Sequence, residues 1–249
     1  MKKEGTMDAR EKAAEKIIVA LDVSDTGSAV RMLEKLSPFV RRFKVGLSSF
    51  MGIGAPEAIG LVRSFNAGVF VDGKFHDTPK TVGNAVRALQ RYPYIEFFTV
   101  HAAAGEAAIQ EAAKEKGNAK LIAVTVLTSL NDWDAHNAIR LHRIEASRHF
   151  TKIAMQSGAD GIVCGVRDLP WFMQEKDDDI RHAIKVVPGI RPAWYTQSDD
   201  QRNIGTPKEA ITRGADFLVI GRPITNPPKS IGTPQDAFQL IVDEIAGVL

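Results

Sequence analysis

Eight short apolar runs, each followed by a stretch with helical spacing, constrain this chain more than any other feature. They fall at residues 17–22, 43–47, 69–74, 97–101, 121–127, 161–165, 184–188 and 217–221. Each is nearly continuous in apolar residues rather than alternating, the pattern of parallel strands covered on both faces. Between them, Ala29, Leu33 and Leu36 form one apolar helix face, Ala85, Val86 and Leu89 another, and Ala237, Leu240, Ile241 and Ile245 a third. Strict alternation of strand and helix implies right-handed parallel crossovers. Eight such units in 249 residues predict an α/β chain folded as one (β/α)8 TIM barrel, with its active site at the C-terminal ends of the strands. No linker rich in Gly, Ser or Pro divides the pattern. One catalytic domain is therefore expected over 17–249, preceded by a flexible segment over 1–16.

Composition narrows the functional classes. Lys and Arg number 32 against 30 acids, a formal net charge of +2. Nucleic-acid and anionic-membrane binders usually carry a large basic excess, so neither partner is expected. The single cysteine, Cys164, cannot form an intrachain disulfide and fits a reducing compartment. No apolar run approaches the ~18–20 residues that span a bilayer, and the first residues lack a hydrophobic signal core. A cytoplasmic protein is the expectation. A faint echo links 158–165 (GADGIVCG) and 214–221 (GADFLVIG), and more loosely 66–73 (NAGVFVDG). In the first two, a glycine can end a helix in the left-handed conformation before a buried strand begins. Two stretches exceed an ordinary loop: 130–140, read as a loop with a helical turn, and 189–206, polar and long enough to serve as a lid.

Strand ends of such a barrel carry Asp22, Lys44, Asp72, Lys74, Asp77, His101, Thr128, Arg191 and the pair Gly221–Arg222. The densest cluster is VDGKFHDTP at 71–79. Period two along a strand puts Asp72 and Lys74 on one face, with Asp77 just beyond the end. Buried charges are costly unless paired, so Lys44 on the neighbouring strand is expected to complete an alternating Lys–Asp–Lys–Asp array. Asp22 either accepts a ligand hydroxyl or begins a turn, with Ser24 or Asp25 capping the next helix. Lys44 on its own also suits a strand-end lysine that snorkels. His76 alternates away from Lys74, and His101 has no partner at a metal-ligand spacing. Neither is given a chemical role.

These residues resemble the orotidine 5′-phosphate decarboxylase family. The likeness runs from about Lys16 to Leu249 and includes LDV at 21–23, FKVG at 43–46, KFHDTP at 74–79, TVLTS at 125–129, VPGIRP at 187–192 and IGRPI at 220–224. Gly73 stands where the family commonly has leucine, and Lys80 where it often has asparagine. The resemblance implies decarboxylation of orotidine 5′-phosphate with no cofactor and no metal. It also implies a homodimer in which Asp77 and Thr81 cross to the neighbouring site, and it adds Pro188 to the substrate-binding residues.

Loss of CO2 from C6 leaves charge in an orbital that the ring cannot delocalise. A pre-placed ammonium can stabilise that charge and then protonate it. Lys74 is expected in this role, with Asp72 and Asp77 holding the lysines and Lys44 balancing Asp72 and touching the ribose. Thr128 is expected at the pyrimidine edge. Gly221 and Arg222 suit the phosphate corner of the fold, with Arg191 and Gln201 closing over it. Two rivals remain at this point. A Mg²⁺-dependent sugar-phosphate decarboxylase or synthase of the same suprafamily needs a carboxylate where Lys44 stands. A non-catalytic phosphate-ligand binding protein has no use for stacked buried charges.

Overall fold

The eight apolar runs form eight parallel strands that pair in sequence order and close on themselves, with the last hydrogen-bonded to the first. They are β1 (Ile17–Ala20), β2 (Arg42–Gly46), β3 (Gly68–Phe75), β4 (Ile95–His101), β5 (Lys120–Val124), β6 (Gly161–Val163), β7 (Ile184–Val187) and β8 (Phe217–Ile220). The computed structural model describes residues 7–197 and 203–249.

Alternate residues of each strand serve two separate cores. Ile18, Ala20, Phe70, Phe97, Ile122, Val186 and Val219 fill the barrel. Ile17, Val19, Phe43, Val69, Phe98 and Leu218 pack outward against the helices. Burial on both faces accounts for the near-continuous apolar runs. Helix Thr26–Leu36 buries Ala29, Leu33 and Leu36 as its spacing predicts. In helix Pro234–Ala246 the buried face is Ala237, Phe238, Ile241, Val242 and Ile245. Leu240 is 44% exposed there, because the face follows the 237/241/245 row and its 238/242 neighbour.

The sequence echo has a physical basis. Gly158 and Gly214 both take positive φ, 91° and 96°, to end their helices. The aspartate two residues later then accepts the N–H of the second residue of an adjoining strand: Leu121 donates to Asp160 and Lys185 to Asp216, at 2.9 and 2.8 Å. In the looser copy Asn66 takes the left-handed position with φ 60°.

Two further expectations need correction. The flexible segment over 1–16 contains a helix, Ala9–Glu15, whose N-terminus is closed by a reciprocal capping box between Asp8 and Glu11. Ala13 is fully buried, and Arg10 reaches Asp243 and Gln239 on the last helix. Glu15 and Glu96 bind Arg42 at the end of the barrel away from the strand C-termini. Residues 1–6 lie outside the described residues. After β5, the expected helical turn is a full helix, Asp132–Ile139, capped by the Asn131 side chain.

Candidate active site

Each charged group of the site is placed by its strand. Leu21 N–H donates to the Lys44 carbonyl at 2.9 Å, and the Leu21 carbonyl accepts from buried Ser49 at 2.7 Å. This holds Asp22, just past β1, against the end of β2. Gly46 pairs with Asp72 across β2 and β3, which places Lys44 and Asp72 on neighbouring inward positions. Beyond Asp72, β3 leaves the regular ladder: its register with β4 shifts between Val71 and Phe75, and Lys74 has φ 46°. Gly73 makes room for the Phe75 ring, since a Cβ there would lie 2.6 Å from Cε1.

The result is a chain of alternating charge. Lys44 Nζ lies 3.0 Å from Asp22 Oδ1 and 3.2 Å from Asp72 Oδ2, and Lys74 Nζ lies 2.7 Å from the same Asp72 oxygen. Within one chain the array is thus Asp22–Lys44–Asp72–Lys74. Asp77 is not in it. That carboxylate is exposed and accepts the Thr78 N–H at 2.7 Å, which holds its pKa below the ordinary range. Thr81, also exposed, exchanges a 3.0 Å hydrogen bond with Thr78.

Electrostatics keep the centre ionised. Burial pushes the Asp72 carboxyl up, but the ammonium groups of Lys44 and Lys74 outweigh it and leave the pKa lowered. Burial pushes Lys44 down, and Asp72 and Asp22 outweigh it in turn, so its pKa is raised. His101 stacks on His76 with 5.4 Å between ring centres, and burial, His76 and Lys74 together lower its pKa. Its Nδ1 accepts the Ala103 N–H. Cys164 is buried, with its thiol pushed well up by that burial.

These groups open into a cavity of about 560 Å³ over the C-terminal ends of the strands, a size suited to a small-molecule ligand. Asp22, Lys44, Asp72 and Lys74 form one wall, and Phe70, Val163, Val186 and Val219 supply an apolar floor. Thr128, Pro188, Arg191, Gly221 and Arg222 also line it. Asp77 and Thr81 do not. Gln201 lies outside the described residues. Arg191 is positioned through its backbone N–H, which donates to Gly205 at 2.9 Å, and its guanidinium lies over the Tyr195 ring.

Two residues escaped sequence reasoning. Thr99, fully buried on β4, hydrogen-bonds both Asp72 and the backbone of Lys74. Its signal was a lone hydroxyl at an inward position between Phe97 and His101. Asn203, 3% exposed, donates its N–H to the Thr128 carbonyl at 3.3 Å and accepts from the Arg167 N–H at 3.4 Å. No local pattern marks it. Its amide packs where a Cβ on Gly165 would otherwise sit.

Comparison with known proteins gives the family of the chain. Residues 15–231 match the family described as "Orotidine 5'-phosphate decarboxylase / HUMPS family". The chain belongs to this family. It is 39% identical over 230 residues to the orotidine 5′-phosphate decarboxylase of Moorella thermoacetica, covering 88% of this chain and 89% of that protein. It is 38% identical over 246 residues to the enzyme of the same name from a Nostoc species, covering 94% and 99%. Among solved structures, the orotidine 5′-phosphate decarboxylase of Lactobacillus acidophilus superposes with a TM-score of 0.75 at 33% identity, over 92% of this chain and 98% of that one. The family membership and the closed barrel together identify the chain as a decarboxylase-type barrel enzyme.

Proposed function

We propose that this protein converts orotidine 5′-phosphate to uridine 5′-phosphate and CO2, the decarboxylation that completes pyrimidine nucleotide synthesis, without a cofactor. The observation that carries the reading is the Asp22–Lys44–Asp72–Lys74 chain on the wall of a cavity that Arg191 and Arg222 also line. The two arginines and the Gly221 backbone suit the 5′-phosphate, and Thr128 suits the pyrimidine edge. Asp22 and Lys44 suit the ribose hydroxyls. With the ring held between these ends, its C6 carboxylate faces Asp72 and the Lys74 ammonium. As the C6–CO2 bond breaks, its electron pair stays on C6. Lys74 stabilises that charge and then donates a proton to C6, giving the C–H bond of the product. The fixed ion pairs make this an arrangement already aligned before substrate arrives, so little reorganisation accompanies the reaction.

Lys44 also speaks against the Mg²⁺-dependent sugar-phosphate alternative. Its ammonium occupies the space between the carboxylates of Asp22 and Asp72, at 3.0 and 3.2 Å, where a divalent cation would have to bind. A charged lysine cannot ligate that cation. We further propose a homodimer in which Asp77 and Thr81, both turned outward here, serve the partner's site.

The test is spectrophotometric. Purified protein with orotidine 5′-phosphate and EDTA should remove the orotate absorbance and release CO2, and Lys74→Ala should slow this by about a thousandfold or more. Dependence on added Mg²⁺, or ligand binding without CO2 release, would overturn the reading.

A further inference from the structure

We propose that Thr99 is the positioning residue of this site: its one hydroxyl sets both the backbone that carries Lys74 and the rotation of the Asp72 carboxylate. The proposal rests on the decarboxylase reading for its consequence in turnover, but not for its geometry.

A threonine hydroxyl donates one hydrogen and accepts others. Here both capacities are used. Thr99 Oγ1 accepts the Lys74 N–H at 2.8 Å and donates to Asp72 Oδ1 at 3.1 Å. The first bond stands in for a ladder bond, because residues between Val71 and Phe75 lose register with β4. It also secures a lysine with φ 46°, a conformation that is unfavourable for a side chain with a Cβ. The second bond occupies the Asp72 oxygen that faces away from the lysines. Oδ2 is thereby left to both ammonium groups, at 3.2 Å from Lys44 and 2.7 Å from Lys74. Thr99 is fully buried, so water cannot replace either bond. Without the hydroxyl, the Lys74 N–H and Asp72 Oδ1 both lose their partner. The bulge and the carboxylate then relax, and the Lys74 ammonium leaves its line to C6.

Thr99→Ser and Thr99→Ala both lose the methyl group and differ only in the hydroxyl. With orotidine 5′-phosphate, Thr99→Ser should keep kcat within about fivefold of wild type. Thr99→Ala should lose roughly 30- to 100-fold in kcat with little change in KM, the scale expected of a misplaced catalytic group. Equal kcat for the two variants, or a loss carried by KM alone, overturns the proposal. Crystal structures of both variants supply a readout independent of turnover. Lys74 should leave the left-handed region in Thr99→Ala and keep it in Thr99→Ser, and an unmoved Lys74 in Thr99→Ala overturns the proposal. If wild-type protein does not decarboxylate the substrate, the functional reading falls, while the crystal structures still decide the role of Thr99.

Discussion

Lys74 combines a side chain paired with Asp72 and a backbone that lysine rarely adopts, and the two are connected. Its Asp-x-Lys spacing was readable from strand period alone. The left-handed φ was not, because it depends on a hydroxyl 25 positions further along the chain. Asp22 was open between a turn and a ligand contact, and only the approach of Lys44 to 3.0 Å selects its partner. Arg222 was readable from its place after the eighth strand. If the phosphate orients the substrate, Arg222→Ala should cost about 2–4 kcal/mol of transition-state binding, measured as the fall in kcat/KM. Asp72 gives a pH signature. The lysines outweigh burial and hold its pKa lower in the folded chain. Such a carboxyl stabilises the fold above its unfolded pKa, and that contribution disappears as pH falls through the folded value. Below about pH 4, wild-type Tm should therefore fall more steeply than that of Asp72→Asn.

Among elements, the strands were legible and the first helix was not. Strands buried on both faces leave unbroken apolar runs, which no other segment here imitates. Helix Ala9–Glu15 buries only Ala13, so it writes no apolar stripe, and its alternating charges read as a solvated segment. The capping box Asp8-x-x-Glu11 was nevertheless present in the sequence. It has a measurable role: Asp8→Ala should lower stability by about 1 kcal/mol in denaturant unfolding, through the helix that seats Arg10 on Asp243 and Gln239. The Gly73 departure is likewise an element-scale matter. The Phe75 ring takes the space a larger side chain would need, so the substitution alters packing in the bulge rather than the charges around it.

For the whole molecule, Asp77 and Thr81 are exposed and do not line the cavity of their own chain, so the proposed homodimer can be tested through them. Lys74→Ala and Asp77→Ala, each strongly impaired alone, should complement each other when unfolded and refolded together. Random pairing makes half the dimers mixed, each with one intact site, so roughly a quarter of wild-type activity should return. No recovery would show that each chain completes its own site. Near-neutral net charge concealed all of this, because the +2 surplus says nothing of where charges lie. The array has a further consequence. Lys44 and Asp72 are largely withdrawn from water, and buried ion pairs of this kind are often less stabilising than apolar residues of similar volume. Replacing Lys44, Asp72 and Lys74 together by methionine and leucine should therefore give a barrel that melts no lower than wild type and has no activity. A selection for heat resistance alone would tend to erase this centre, so its persistence in a lineage would itself record continuous demand for the reaction.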